Sequence, residues 1–251
     1  MTNDYQVPAV NQAIEVLKYL SNNEENRSLS EISQNLSMNK SSCMRILKTL
    51  EKSKFVSYDE TSKEYSLGPF LVALGNQASE EIDYISRGKT FLNELAKHTS
   101  LTSVLVNKIS DDRLMNIAKK EQMEGGIRVA VTVGKQFYIT ETSYGKWFLA
   151  YGDEQQREIY INKLRKLTPF TITDTEEYKK NLEKIKKVGY AVSREEYILG
   201  VNVISAPVFN IKGEIILVIA CIGIASLMDE SDINSVGAHV KRVAEEFSEF
   251  Q

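Results

Sequence analysis

The chain has 251 residues, 42% of them hydrophobic and 26% charged, an ordinary balance for a protein that builds its own core in water. Its 31 basic residues against 34 acidic ones give a formal net charge of −3, which excludes a generic nucleic-acid coat but leaves room for a small, focused basic patch. Two cysteines cannot build a disulfide framework and fit a reducing cytoplasm, no apolar stretch near residue 1 reads as a secretory signal, and the longest apolar run, Ile215 to Ala225, is far short of the ~20 residues that span a bilayer.

The first predicted helix follows Pro8, with Val10, Ala13, Ile14, Leu17 and Leu20 on one face. Two short amphipathic helices come next. Leu29, Ile32 and Leu36 form one apolar stripe and Cys43, Ile46, Leu47 and Leu50 another, separated by the bend Ser37-Met38-Asn39, so the pair reads as a helix-turn-helix. With Asn39 as N-cap, helical spacing puts Ser41, Arg45, Lys48 and Lys52 on the face opposite the stripe. From Asn39 to Lys54 the cations are Lys40, Arg45, Lys48, Lys52 and Lys54, and Glu51 is the one anion. A cationic outer face is by itself an ordinary solvated face. Turn length, stripe placement and the following segment favour a helix that enters a major groove, with Arg45 shaped for a guanine edge and Ser41 and Ser42 near bases or phosphates. That segment, Phe55–Tyr58, then Asp59–Lys63, then Tyr65–Leu67, alternates like a hairpin and reads as a wing. Lys63 near its tip can touch a phosphate, whereas Asp59, Glu60 and Glu64 oppose deep minor-groove insertion.

These elements fill a first domain, 1–68. A new helical pattern with Phe70, Leu71, Leu74, Ala78 and Ile82 follows, read as a linker helix over 69–87. Its apolar side can pair with a second copy or pack on its own domain, and periodicity does not choose between them. The second domain, 88–251, opens with a helix over Gly88–His98. Strands are expected at Leu101–Ile109, Leu114–Lys120 and Ile127–Val133, with turns at Asp111-Asp112 and Gly125-Gly126. Helices at Gly145–Tyr151, Glu154–Leu164 and Thr175–Lys187 precede strands at Tyr190–Ser193, Val201–Phe209 and Ile215–Ile222, and a helix over Ser231–Phe247 closes the chain. The pattern predicts an α+β domain, an antiparallel sheet covered by helices.

Catalysis finds little support. His98 and His239 lie far apart on separate predicted helices without ligand spacing, so no metal or cofactor is expected. Gly134-Lys135 and Gly145-Lys146 lack the earlier glycine of a phosphate loop, since Val129 and Thr140 stand there. Cys221 in its apolar strand is read as structural, and Glu195-Glu196 as a solvated turn.

Several short motifs fall in one family's order: Ala13-Ile14-Glu15-Val16-Leu17, Asn39-Lys40-Ser41-Ser42 with Arg45-Ile46-Leu47, Tyr65-Ser66-Leu67-Gly68, Gly145-Lys146-Trp147-Phe148-Leu149-Ala150, Gly189-Tyr190-Ala191, Glu195-Glu196 and Ser205-Ala206-Pro207-Val208-Phe209. Over nearly its whole length the chain resembles the isocitrate lyase regulator (IclR) type of bacterial transcription factor. That resemblance implies a winged helix-turn-helix reading a double-stranded operator, a linker helix that dimerises, and a GAF-like effector domain, with dimers pairing into tetramers and no membrane role. It implies a repressor gated by a small organic acid. The family's pocket would place backbone N–H groups near Ser143 and Tyr144 against a carboxylate, Phe137 and Val129 as walls, and Ser193, Val201, Val203, Ala220 and Ile222 opposite. Ala220 and Ile222 stand where members that bind small acids offer hydroxyls, and Val203 replaces another polarisable contact. Such a wall disfavours glyoxylate or pyruvate and favours a larger or partly aromatic acid. The alternative is a ligand-independent DNA-binding protein whose second domain only oligomerises.

Overall fold

The computed structural model describes residues 7–21, 25–81, 83–121 and 128–250. The chain folds as two compact units, 1–82 and 83–251.

In the first unit α1 (Pro8–Ser21), α2 (Leu29–Asn35) and α3 (Lys40–Lys52) pack with a sheet of β1 (Arg27–Ser28), which lies between α1 and α2, and β2 (Val56–Asp59) and β3 (Glu64–Leu67), which follow α3; its order is β1-β3-β2, antiparallel. Strand β1 was not foreseen, because two residues carry no periodicity. Ser28 also caps α2: its hydroxyl accepts from the Glu31 amide, and the Glu31 carboxylate accepts from the Ser28 amide at 2.8 Å. Such a capping box stabilises a helix of this length by about 1 kcal/mol. Asn39 caps α3, accepting from the Ser41 amide at 2.9 Å, and Ser37 turns the chain with φ +50°. Val16, Leu20, Ile32, Cys43, Leu47, Val56 and Tyr65 form the core, so the apolar stripes of all three helices and the wing meet in one place. After the wing, α4 (Phe70–Glu81) exposes Phe70, Val72 and Leu74, although the Phe70 ring stands edge-on to Phe55 at 5.2 Å.

The second unit begins with α5 (Asp83–Thr99), then β4 (Thr102–Lys108), β5 (Arg113–Lys120) and β6 (Gln136–Tyr138). Helices α6 (Ser143–Tyr151), α7 (Glu154–Ile161) and α8 (Thr175–Val188) follow. Strands β7 (Ala191–Arg194), β8 (Val201–Phe209) and β9 (Ile215–Ile224), a 3₁₀ turn at Ala225–Leu227 and α9 (Glu230–Glu249) complete it. The six strands form one antiparallel sheet ordered β6-β5-β4-β9-β8-β7. Helices α5 and α9 pack on one face, α6 and α8 on the other. Period-two alternation explains the sandwich: Val218, Ala220 and Ile222 face α6, whereas Ile219 and Cys221 are equally buried on the opposite side, which is why β9 reads as a continuous apolar run.

One expected strand is absent. Ile127 and the Gly125-Gly126 turn lie outside the described residues, and 128–133 is irregular. Side chains take up the carbonyls of this segment in place of a ladder: Thr102 Oγ1 donates to Val129 O, Lys119 Nζ to Val131 O and Asn116 Nδ2 to Thr132 O. The true edge strand is β6, three residues long and too short to announce itself.

Helix α6 lies closer to its neighbour than any side chain would allow. A Cβ on Gly145 would fall 1.6 Å from the Ile139 carbonyl oxygen, so the helix sits there only because residue 145 has none. Gly145→Ala must therefore shift α6, and it is expected to lower the unfolding free energy by about 2–3 kcal/mol. Urea denaturation followed through the single tryptophan, Trp147 of α6, measures this; an unchanged midpoint would show that the helix moves freely.

Candidate nucleic-acid interface and effector cavity

On α3, Ser41, Arg45, Lys48 and Lys52 are exposed together on the side away from Cys43 and Leu47, and Ser42 is half-buried. Their partners distinguish them. Lys40 Nζ donates to Ser30 Oγ at 3.0 Å, and Ser41 Oγ donates to Asn39 Oδ1 at 2.6 Å. Lys48 Nζ pairs with Glu51 at 2.9 Å and lies 5.2 Å from the Tyr58 ring centre, and the Glu51 bond holds its pKa above the usual lysine value. Arg45, Lys52 and Lys63 form no ion pair among the described residues; the charges of Arg45 and Lys52 face solvent unshared, while Lys63 stands close enough to Asp59 to act on its carboxylate. Lys63 sits at the wing tip with φ +62°, where the Asp59 carboxylate accepts from the Thr61 and Ser62 amides. Those two amides also hold the Asp59 carboxyl below its ordinary pKa.

In the second unit a cavity of about 100 Å³ opens between the start of α6, the β5–β6 edge and strands β8 and β9. Its walls are Val129, Val131, Val201, Val203 and Ile222, with Phe137, Tyr144 and Tyr197 as an aromatic corner. Phe137 meets Tyr144 at 5.7 Å and Tyr197 at 5.5 Å, both edge-on. Lys135 stands at the rim, its Nζ 5.7 Å from the Tyr197 ring centre and 5.9 Å from that of Phe137. Asn116 and Thr142 supply polar lining, and burial pushes the Tyr144 phenol well above its usual pKa.

Of the expected pocket residues, the structure brings Val129, Phe137, Tyr144, Val201, Val203 and Ile222 around this cavity. The side chains of three others are engaged or packed elsewhere. Ser143 Oγ accepts from Ser205 Oγ at 3.0 Å, Ser205 in turn accepts from Trp147 Nε1 at 3.2 Å, Ala220 is packed in the core, and Ser193 is buried on β7 opposite Val203. Sequence reading missed Asn116, Thr142, Lys135 and Tyr197. For Asn116 a signal existed: in Leu114-Met115-Asn116-Ile117-Ala118 a polar residue occupies an inward position of an alternating strand.

The Glu195-Glu196 pair is not a solvated turn. Glu196 accepts from Lys146 Nζ through both oxygens, at 2.9 and 2.8 Å, and Lys146 is 1% exposed. Glu195, at φ +56°, accepts from the Gly200 amide at 2.7 Å, while Thr168 and Thr171 hydroxyls donate to the two glutamate carbonyls. A buried lysine requires such a partner. The arrangement ties α6 to the 195–200 loop, which carries Tyr197 and Ile198 at the cavity.

The histidines, far apart in sequence, are neighbours in space. Their rings are 4.9 Å apart where α5 meets α9, and Glu94, one helical turn before His98, completes a trio with metal-ligand chemistry. A guanidinium already occupies the place of a cation. Arg242 donates to Glu94 at 2.7 Å and to His239 Nδ1 at 3.2 Å, and it also pairs with Glu246. Burial first, then Arg242 and His98, hold the His239 pKa below its usual value. A metal ion there would have to displace a bound positive charge. Cys221 is buried, and burial pushes its thiol up to about 12, far from a thiolate nucleophile.

Two family models match this chain: the IclR helix-turn-helix domain over 9–60 and the bacterial transcriptional regulator IclR C-terminal domain over 76–249. The chain belongs to the IclR family. An HTH-type transcriptional repressor AllR from Salmonella typhi is 27% identical over 242 residues, 96% of this chain and 88% of that protein. The crystal structure of an IclR transcriptional regulator from Alicyclobacillus acidocaldarius aligns at TM-score 0.92 with 39% identity, covering 98% of this chain and 99% of that one. An IclR homolog from Microbacterium hydrocarbonoxydans complexed with 4-hydroxybenzoate shares the fold at TM-score 0.78 and 15% identity, over 97% of this chain and 100% of that one. No helix among the described residues of this IclR-family chain is long and apolar enough to cross a membrane.

Proposed function

We propose that the protein is a repressor whose affinity for a DNA operator is modulated by an organic acid held in the second unit's cavity, and that it acts in the cytoplasm as a homodimer able to pair into tetramers. The exposed face of α3 carries the DNA reading. Arg45 is the natural base reader, because it alone of the α3 cations combines a bidentate donor fork with freedom from any partner among the described residues. Lys48 must first release Glu51, and then offers a phosphate a point charge. Ser41, Ser42, Lys40, Lys52 and Lys63 complete the footprint as phosphate contacts. Arg45→Ala should weaken operator binding by about 1–3 kcal/mol and scrambled duplex far less, whereas Lys48→Ala should weaken both alike and flatten the salt slope. Affinities for both duplexes across a salt series test this; equal losses for Arg45→Ala would remove the base-reading role.

The dimer is assigned to α4, whose Phe70, Val72 and Leu74 remain exposed among the described residues although Phe55 stands edge-on to Phe70. Two recognition helices would then meet half-sites about 34 Å apart, or a multiple of that, on a pseudo-palindrome. Sedimentation of the Phe70→Glu/Leu74→Glu protein should show a shift to monomer with loss of operator binding. An unchanged mass would move the interface elsewhere.

For the effector, the supporting observation is the cavity itself: a mostly apolar chamber at the start of a helix whose first amides are uncapped. An IclR homolog complexed with 4-hydroxybenzoate supports the choice of an organic acid. An acid with an apolar body should raise the melting temperature and change operator affinity, and linkage requires operator DNA to change acid affinity by the same factor. Glyoxylate should do neither at comparable concentration. Thermal shift and operator titration with a panel of acids decide; if no acid moves either quantity, the second domain serves oligomerisation only.

A further inference from the structure

Two polar atoms in the cavity wall are left without partners. Asn116 is 1% exposed and Thr142 3% exposed, and neither Asn116 Oδ1 nor Thr142 Oγ1 meets a hydrogen-bonding group. Native interiors rarely leave such atoms unpaired, and those that persist call for an explanation. Both line the cavity.

Their chemistry is not interchangeable. Asn116 is fixed on all its other groups: its amide donates to Lys135 O, its carbonyl accepts from Gly134, and Nδ2 donates to Thr132 O at 3.2 Å. Turning the side-chain amide over would set Oδ1 against the Thr132 carbonyl, oxygen to oxygen, so the unpaired atom of this cavity-lining residue is an acceptor. A carboxylate cannot satisfy it. Only an O–H or N–H on the ligand can. Thr142 stands at the N-cap of α6 in extended backbone, φ −134° and ψ 165°, yet its hydroxyl does not cap the helix. Among the described residues no acceptor is found for the Ser143 and Tyr144 amides that follow. A free hydroxyl beside free helix-start amides is a donor set for an anion. Lys135 at the mouth adds positive charge without a carboxylate partner among the described residues.

Size narrows the class further. A cavity of about 100 Å³ is smaller than the ~150 Å³ chamber that holds benzene, so a ring enters only if the mouth widens.

Resting on the effector reading above, we infer that the ligand is a compact hydroxy acid. Its carboxylate takes the donors of Thr142 and the α6 amides, its hydroxyl donates to Asn116 Oδ1, and its short apolar frame lies on Val203 and Ile222.

The test is calorimetric titration of the full-length protein with matched compounds: 3-hydroxybutyrate against butyrate, 2-hydroxyisovalerate against isovalerate, and 1,3-butanediol as the uncharged control. A hydroxyl left out strands a buried acceptor, so at least one hydroxy acid should bind about 10- to 100-fold more tightly than its deoxy partner. Thr142→Val should weaken hydroxy and deoxy acids alike. Asn116→Leu should erase the hydroxy preference while leaving acid binding in place; if that variant fails to fold, the wild-type pairs decide alone. Equal affinity within both pairs would overturn the hydroxy-acid class while leaving an acid effector standing. Binding of the diol as tight as that of 3-hydroxybutyrate, or no binding by any acid, would overturn the acid reading as well.

Discussion

The close approach of α6 to the Ile139 carbonyl governs the second unit. With Gly145 at the contact, the helix start drops onto the sheet edge beside β6, and Trp147 reaches Ser205 so that a hydrogen-bonded chain of Trp147, Ser205 and Ser143 pins the first turn over β8. Lys146, the residue between, is driven inward, and there the Glu196 carboxylate comes to meet it. Meeting it fixes the 195–200 loop, and that loop brings Tyr197 to the cavity. One missing side chain thus positions both a helix N-terminus and the opposite wall of the chamber.

The first unit rests on a different economy. Its core is small, so local devices matter more: the Ser28–Glu31 box, the Asn39 cap and the left-handed Ser37 define the ends of α2 and α3 and the turn between them. With that turn fixed by caps, the outer face of α3 is free to be polar and charged without loss to the core. This is how a chain of net charge −3 presents a cationic helix.

The helix-turn-helix was legible because its signals are local and redundant. Stripes of Leu29, Ile32 and Leu36 and of Cys43, Leu47 and Leu50 report the 3.6-residue period directly, and Asn39 caps where the spacing places it. The α+β sheet was legible for similar reasons, since β8 and β9 are long, apolar and joined by a turn. The cavity was less so. Its far wall is the irregular segment 128–133, whose apolar alternation mimics a strand while its carbonyls are taken by Thr102, Lys119 and Asn116 from across the sheet. No periodicity records bonds of that kind. The neighbouring histidines were hidden likewise, because the contact of α5 with α9 is a long-range fact, although the Glu94–His98 spacing was available on one helix.

What remains is why a protein would keep two orphaned polar atoms in its wall. Leaving an acceptor such as Asn116 Oδ1 or a hydroxyl such as Thr142 Oγ1 buried and unpaired costs about 1–3 kcal/mol each. The surrounding apolar core of Val104, Leu114, Trp147 and Val218 can carry that burden, so the fold survives it. The same atoms make the chamber discriminating. An apolar molecule of the right size would fill the space but leave both orphans stranded, whereas a molecule that pairs them recovers most of their desolvation cost on binding. Selectivity then comes from the protein's own unfavourable state and not from added contacts. Any difference in how well two conformations present Asn116 and Thr142 becomes a difference in ligand affinity, which is the one quantity through which a small molecule can bias one state of the protein over the other.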